Sequence, residues 1–307
     1  MRTKWVALAG AASLLLAACG SSTSDPASAR CNDPQATFGQ PVDEGDHHEV
    51  GVEFTCEGAK LAGTLYLPAK EGRHPAVVWV HGSGEQERLG YGSIVAPLVQ
   101  QGVAVFSYDK RGVGESAGTC CPGDDNHFNL LAADADGAVL ALRSREDIDH
   151  ARVGFYGVSQ AGWVVALANA RLREPVAFTA LASAPVVTTG EEAVWGDVAG
   201  EDDPGPLPAA KKAEAEQKIE EAGASGFDPL PYIKKLETPG LWLFGDADRS
   251  IPADRSAALL EDLKQKGKSF TITVYPGAGH GLLDTTPSAP EAPGALVAWI
   301  LATANAG

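Results

Sequence analysis

The chain has 307 residues, of which 40 are acidic and 24 are basic, giving a formal net charge of -16 at pH 7. We expect so acidic a chain to avoid nucleic acid and anionic membrane headgroups, because both would repel it. Its length suits one large α/β domain that carries an insertion, and suits two small domains less well.

The first 18 residues have the composition of an export signal. Arg2 and Lys4 precede an uncharged stretch that is too short to span a membrane and that ends in small residues. Residues 16–19, LAAC, resemble the bacterial lipobox, which implies cleavage before Cys19 and a diacylglyceryl thioether on that cysteine. Residues 1–18 contain two basic residues and no acidic ones, so their removal changes the net charge from -16 to -18. We therefore expect an exported protein, anchored by lipid to the extracytoplasmic face of the cell membrane; the alternative is a secretory signal with an incidental cysteine.

The segment after the signal is rich in Ser, Ala and Pro, which predicts a flexible tether over residues 19–30. An even number of cysteines remains in a chain sent to an oxidising compartment, namely Cys31, Cys56, Cys120 and Cys121. Disulfides are therefore expected rather than metal ligation. The sequence leaves two arrangements open. One has a bridge between the two early cysteines and a vicinal bridge, and the other has two bridges between the early cysteines and the late pair.

From residue 50 onward, short apolar runs alternate with helical patterns. Residues 50–55 and 61–67 flank a turn and predict an antiparallel hairpin that opens the sheet. Runs typical of strands covered on both faces follow at residues 76–80, 103–108, 153–156, 178–182, 241–244 and 270–274. Helical patterns occur at residues 94–101, 129–145, 160–171, 253–266 and 295–302. This alternation predicts an α/β domain over residues 31–307 with a mostly parallel, doubly wound sheet.

Residues 188–238 interrupt the alternation. A stretch rich in Asp and Pro leads into a charged helical run at residues 209–221 and then into a Gly/Ser break. An interruption this long between two strands predicts a lid, and the alternative is a solvated helix that touches no substrate. Trp195 and its neighbours at residues 193–198 are candidates either for the pocket wall or for the core of the lid.

The sequence GVSQAG at residues 157–162 lies between a predicted strand and a predicted helix, which is the context that a nucleophile elbow requires. Small residues around Ser159 allow this strained turn to pass close to the neighbouring strand and helix. The segment departs from the usual Gly-x-Ser-x-Gly pattern at Ala161, and Gly162 follows directly. Ser159 is the predicted nucleophile.

A serine nucleophile needs a base, and the base needs an acid that orients it. His280 is the only histidine after Ser159, and it lies in a Gly-rich loop after the last predicted strand. A histidine can take and return a proton at neutral pH. Of the two carboxylates that follow the strand at residues 241–244, we select Asp248, because it lies far enough past the strand to turn toward this loop. Asp246 is better placed to hydrogen-bond the turn.

The oxyanion formed on attack needs two backbone N–H donors, one from the residue after the serine and one from the loop after the third strand. We assign these donors to Gln160 and Ser83. Ser83 belongs to the turn HGSG at residues 81–84, in which His81 is expected to pack beneath the loop.

Taken together, several segments resemble the α/β-hydrolase superfamily, in its dienelactone-hydrolase-like and prolyl-oligopeptidase-like serine esterase branches. The matching segments are residues 81–84, 108–116, 157–162, 245–252 and 279–281. The resemblance covers about residues 50–304 and implies the α/β-hydrolase fold. It also implies a structural, non-catalytic role for the turn DKRG at residues 109–112.

These residues predict a serine hydrolase that cleaves a carboxylic ester through an acyl-enzyme, with water completing the reaction. The expected partner is a small-molecule acyl substrate, and no metal or organic cofactor is needed. One alternative is a serine peptidase, amidase or thioesterase with the same triad. Another is a non-catalytic binding protein on a hydrolase scaffold. Fold and triad do not define the substrate, because one fold carries many chemistries.

Overall fold

The computed structural model describes residues 29–121, 127–201, 203, 205, 207–284 and 287–306. The predicted signal and the lipidation site at Cys19 lie outside these ranges, as does most of the predicted tether. Ala29 and Arg30 belong to that tether but pack on the domain: Ala29 is fully buried, and the Arg30 N–H donates to Glu57 at 2.6 Å. Within the described ranges, no helix has the length and apolar character needed to cross a bilayer.

The described ranges contain ten strands and eight helices. The strands are β1 (Thr37–Phe38), β2 (Val42–Asp43), β3 (His47–Cys56), β4 (Ala59–Pro68), β5 (His74–Val80), β6 (Ala104–Tyr108), β7 (Ile148–Val158), β8 (Thr179–Ala182), β9 (Gly240–Gly245) and β10 (Phe270–Tyr275). The helices are α1 (Val95–Gln100), α2 (His127–Arg143), α3 (Ala161–Asn169), α4 (Thr189–Ala199), α5 (Ala209–Ala222), α6 (Leu230–Ile233), α7 (Ala253–Gln265) and α8 (Ala292–Ala304).

All the strands join one mixed sheet, in the order β1-β3-β4-β6-β5-β7-β8-β9-β10, with β2 paired to β3. The hairpin of β3 and β4 is antiparallel, and β4 also pairs antiparallel with β6. From β6 to β10 every neighbouring pair is parallel. The predicted α/β fold, with a mostly parallel sheet and an N-terminal hairpin, is confirmed.

Helices cover both faces of this sheet. One apolar cluster lies between the sheet and α2, α3 and α7, and a second lies between the sheet and α1 and α8. Strands β5, β6, β8 and β9 are therefore buried at every residue. This two-sided burial explains why they appear in the sequence as continuous apolar runs instead of alternating ones.

The insertion at residues 188–238 contains α4, α5 and α6. Its helices α4 and α5 pack on each other through Trp195, Ala199, Ala215 and Ile219. Trp195 is only 1% exposed, so of its two candidate roles it takes the one in the core of the insertion.

Of the two disulfide arrangements that the sequence left open, the structure contains only the vicinal bridge of the first. Cys120 and Cys121 form a vicinal disulfide, which excludes bridges from the early cysteines to this pair. Cys31 and Cys56 are buried thiols. The bridge that this arrangement places between them is not formed, and the Cys31 thiol instead donates to the Thr55 carbonyl.

Candidate active site

Ser159 lies in the turn between β7 and α3 and has a left-handed backbone, with φ of +52°. Residues with a side chain rarely adopt this conformation, so the turn is strained in the way that a nucleophile elbow requires. The neighbours have to be small: a Cβ at Gly157 would collide with Ala161, and one at Gly162 would collide with the Pro185 carbonyl. The methyl group of Ala161 fits where the usual pattern has glycine.

The structure brings the three predicted triad residues together. His280 Nε2 lies 3.0 Å from Ser159 Oγ, although the two residues are 121 positions apart. The other ring nitrogen, Nδ1, lies 2.9 Å from Asp248 Oδ2. The arrangement allows the serine hydroxyl to donate to Nε2 while Nδ1–H donates to the carboxylate.

The Asp248 carboxylate is buried and held in place. Its second oxygen, Oδ1, accepts the backbone N–H groups of Ser250 and Ile251 at 2.8 and 3.0 Å. These bonds fix the orientation of the carboxylate and leave Oδ2 to face the imidazole. The neighbouring Asp246 instead accepts the Gly277 N–H at 2.6 Å, which ties the loop after β9 to the loop after β10. The two carboxylates thus occupy the different positions that the sequence predicts.

Charges around His280 raise its pKa. Burial alone would lower the pKa, but the hydrogen bond and negative charge of Asp248, with the charges of Glu201 and Glu192, outweigh burial and raise it above the ordinary 6.5. Glu192 and Glu201 belong to the insertion. Burial raises the pKa of Glu192 itself to about 7, and the neighbouring Glu201 adds to that increase.

The sequence did not predict one hydrogen bond to the backbone of His280. The Ser183 hydroxyl donates to the His280 carbonyl at 2.7 Å and so supports the loop that carries the imidazole. Ser183 follows β8 and has φ of +47°. Its sequence context, a serine directly after an apolar run, did not distinguish it from an ordinary turn residue.

The predicted oxyanion donors, Ser83 and Gln160, belong to two segments next to Ser159. Ser83 and Ser159 line the same cleft, and Gln160 directly follows the serine as the N-cap residue of α3. The Gly82 N–H is already bonded to the Gln86 side chain at 2.8 Å, which leaves the next N–H, that of Ser83, as the candidate in this loop. A Cβ at Gly82 would lie 3.5 Å from Ser159 Cβ, so the loop backbone approaches the serine closely.

His81 lies beneath the loop, as expected. Its Nε2 donates to the Tyr108 carbonyl at 2.6 Å. Burial lowers the pKa of the imidazole to about 3, so His81 is neutral at physiological pH. It therefore supports the loop as an uncharged donor.

Lys110, from the turn DKRG, also lies beneath this loop. Its Nζ donates to the carbonyls of Gly82 and Gly84 and to the side chain of Gln160, at 2.7, 3.0 and 2.8 Å. Burial lowers the pKa of the Lys110 ammonium group to about 8. The sequence motif did not reveal that this lysine contacts both segments that carry the predicted oxyanion donors.

A cleft of about 400 Å³ opens above Ser159. Its apolar wall comes from Val158, Ala182, Leu282 and Leu283. Among the described residues, its lining includes two carboxylates, those of Glu201 and Asp284, but no lysine or arginine. The cleft is thus small, partly apolar and negatively charged.

The insertion is attached to the loop that carries the triad acid. The Trp195 indole N–H donates to the Asp248 carbonyl at 3.2 Å, and the Lys212 ammonium group donates to the Asp246 carbonyl at 2.9 Å. Glu201, two residues after the end of α4, lines the cleft. Among the residues described, no group of His, Cys, Asp or Glu side chains is arranged to hold a metal ion.

The amino-acid sequence is similar to that of a known protein family and of individual relatives. Residues 91–307 match Peptidase S9, the prolyl oligopeptidase family. The uncharacterized protein Rv2307c of Mycobacterium tuberculosis is 32% identical over 238 residues, which are 76% of this chain and 72% of that protein. Thiohydrolase aneE of Aspergillus aculeatus is 34% identical over 112 residues, covering 36% of this chain and only 34% of the fungal protein.

Solved structures share the fold. Acetyl xylan esterase 1 from Thermoanaerobacterium sp. JW/SL YS485 aligns with a TM-score of 0.60 and 19% identity, over 87% of this chain and 88% of that chain. The esterase Pf2001 of Pyrococcus furiosus aligns with a TM-score of 0.61 and 17% identity, over 87% and 96%. At these identities the likeness establishes the α/β-hydrolase fold and says nothing of the substrate.

Proposed function

Because the chain belongs to the prolyl oligopeptidase family of serine hydrolases, we propose that it is an esterase that cleaves small carboxylic esters through an acyl-enzyme. Ser159 is the nucleophile, His280 is the general base and then the general acid, and Asp248 orients the imidazole. The observation that carries this proposal is the unbroken chain of hydrogen bonds from Ser159 Oγ through His280 to Asp248, at the floor of the cleft.

The proposed reaction has two halves. In the first, His280 Nε2 takes the proton of Ser159 Oγ as the oxygen attacks the ester carbonyl, and the Ser83 and Gln160 N–H groups stabilise the oxyanion. Collapse breaks the bond to the leaving alcohol, which receives the proton from His280. In the second half, His280 takes a proton from water, the hydroxide attacks the acyl-enzyme, and Ser159 regains its proton as the carboxylic acid leaves.

The size of the cleft favours a small acyl group. A volume of about 400 Å³ lies near the lower end for small-molecule sites. Esters are also easier substrates than amides for the same triad, because an alkoxide leaves more readily than an amide anion. A thioester is the second candidate, since the relative aneE is named a thiohydrolase.

Export and lipid attachment at Cys19 form part of the same proposal and rest on residues 1–19 alone. Metabolic labelling with radioactive palmitate tests the attachment in a bacterial host. We expect label on the wild-type protein and none on Cys19→Ala. A labelled variant, or an unlabelled wild type, would exclude a lipid on Cys19.

The proposed activity is tested by treating the protein and its Ser159→Ala variant with a fluorophosphonate probe, and by following hydrolysis of p-nitrophenyl esters from acetate to palmitate. We expect labelling at Ser159 that is lost in the variant, and faster hydrolysis of short esters than of long ones. Matched thioester and anilide substrates distinguish the alternatives. A folded wild-type protein that neither labels nor hydrolyses would instead be a binding protein on a hydrolase scaffold.

A further inference from the structure

Lys110 is buried to 1% exposure, yet its ammonium group is fully hydrogen-bonded. The three acceptors are the Gly82 carbonyl, the Gly84 carbonyl and the Gln160 side-chain oxygen. An ammonium group has three N–H donors, so each donor has one acceptor. All three are neutral oxygens, and the neighbouring Asp109 directs its carboxylate to Arg88.

The Gly82 carbonyl is directly linked to the predicted oxyanion donor Ser83. It belongs to the same planar peptide unit as the Ser83 N–H, and in a trans peptide these two groups point in opposite directions. A donor that holds the carbonyl from below therefore fixes the direction of the N–H above. A charged donor on the carbonyl oxygen also polarises the peptide and makes its N–H a stronger donor.

The same ammonium group contacts the other side of the predicted oxyanion hole. Gln160 supplies the second N–H, and its side-chain oxygen accepts from Lys110 at 2.8 Å. One cation thus connects the loop after β5 with the N-cap residue of α3, and no other described side chain is shown to do so.

We propose that Lys110 is a positioning residue of the oxyanion hole, whose ammonium group fixes and polarises the Ser83 peptide and holds it against Gln160. This inference rests on the proposed function, because it concerns the same site. It assigns a role to the turn DKRG beyond the structural one that the resemblance implies. Lysine suits this position because its three N–H groups diverge tetrahedrally from a single nitrogen, whereas the donors of arginine all lie in one plane.

The test compares Lys110→Met with wild type in hydrolysis of p-nitrophenyl butyrate. Methionine keeps most of the side-chain volume and removes the charge and the donors. We expect kcat to fall about 10- to 100-fold, less than or equal to the loss from deleting an oxyanion donor. KM should change little, because the lost contacts act on the transition state. The variant Lys268→Met is the matched control, since Lys268 also donates to a backbone carbonyl, that of Leu236, but lies away from the cleft.

A boronic acid separates positioning from a general loss of structure. Butylboronic acid adds to Ser159 Oγ and presents an anionic oxygen to the oxyanion hole. Its inhibition constant should increase in Lys110→Met by about the same factor as kcat/KM falls. In Lys268→Met both quantities should stay at the wild-type value.

A second variant keeps the inference testable if Lys110→Met does not fold. Gln160→Leu removes the side-chain oxygen that accepts from Lys110. It leaves Lys110 bonded to the carbonyls of Gly82 and Gly84. We expect a smaller loss of kcat, again with little change in KM. If both variants fold, their effects should be less than additive, because they disrupt one network.

The outcomes separate this inference from the proposed function. A wild type that neither hydrolyses esters nor labels with fluorophosphonate contradicts the proposed function and this inference with it. An active wild type with unchanged kcat and unchanged boronic acid inhibition in folded Lys110→Met, or in Gln160→Leu if the first variant does not fold, overturns this inference alone. A raised KM with unchanged kcat would also overturn it, since that result assigns the lysine to substrate binding.

Discussion

Two carboxylates only two positions apart have different surroundings at the end of β9. Asp248 is 1% exposed and bonds to His280, whereas Asp246 accepts one backbone N–H of the following loop. The sequence was sufficient to choose between them, because the distance from the strand end decides which carboxylate can turn toward the histidine loop.

This difference gives a matched prediction. In Asp248→Asn the amide cannot stabilise the imidazolium and can favour the wrong tautomer, so we expect kcat to fall by about 10⁴. Asp246→Asn retains an oxygen that can accept the Gly277 N–H, so its kcat should change little. Steady-state kinetics with p-nitrophenyl butyrate measures both. Equal losses in the two variants would contradict the assignment of the acid.

The charges around His280 predict a shift in the pH profile. Only neutral His280 can accept the serine proton, so a raised pKa moves the increase of kcat/KM to a pH above the ordinary 6.5. Glu201→Gln removes one of the charges that raise this pKa, so the acid limb should move to lower pH. The pH dependence of kcat/KM with an uncharged ester measures the shift.

Glu220→Gln is the control for this prediction, because it makes the same change at an exposed position of the insertion. Its acid limb should coincide with that of wild type. An unmoved limb in Glu201→Gln would mean that this carboxylate does not act on the imidazole.

Helix α4 and the short strands β1 and β2 are elements that the sequence analysis did not predict. Helix α4 begins with a capping box, in which the Thr188 side chain accepts the Glu191 N–H and the Glu191 side chain accepts the Thr188 N–H. The pattern Thr-x-x-Glu was present in the sequence, but few apolar residues follow it at helical spacing. The short strands β1 and β2 have two residues each, too few for any periodicity to indicate them.

A buried ion pair joins the turn DKRG to α2. Arg111 bonds to Asp134 through two nitrogens and also donates to the Cys56 carbonyl at 3.1 Å. Arg111→Met would leave the buried Asp134 without its partner, so we expect the free energy of unfolding to fall by about 3 to 5 kcal/mol. Urea denaturation followed by circular dichroism measures the change.

The exposed pair of Lys60 and Glu53 provides the comparison for Arg111. Lys60→Met should leave the urea midpoint nearly unchanged, because exposed ion pairs contribute little. If Arg111→Met also left the urea midpoint unchanged, the buried ion pair would not stabilise the domain.

The whole molecule has a negative net charge, and its cleft is also lined by carboxylates. The net charge is -16, and Glu201 and Asp284 line the cleft. Anionic substrates are therefore repelled both at a distance and within the site. We expect kcat/KM for a monosuccinate ester to be lower than for the butyrate ester of the same alcohol.

Added salt should reduce this difference, because it screens charge at the surface. The measurement is the ratio of the two kcat/KM values at low and high ionic strength. Equal rates for the two esters at low salt would show that the carboxylates do not select against anions.

The sheet could be predicted from the sequence because its signals, the apolar runs, are local. The three candidate triad residues could be selected from similarly local signals: a small-residue turn, a carboxylate after a strand and one histidine in a late loop. The charged helical run at residues 209–221 could be recognised as well, but the contacts of the insertion could not be predicted. The bond from Trp195 to the Asp248 carbonyl and the contacts of Lys110 join segments far apart in the chain, and no spacing in the sequence encodes them.

The central claim is that Ser159 carries the acyl group during the reaction. Rapid acid quench of the protein with p-nitrophenyl acetate, followed by peptide mass spectrometry, tests it most directly. We predict one acetyl group on the peptide that contains Ser159, formed within the first turnover and absent in Ser159→Ala. Full hydrolysis of the ester with no acetylated Ser159 at any quench time, or with unchanged turnover in Ser159→Ala, would contradict the account.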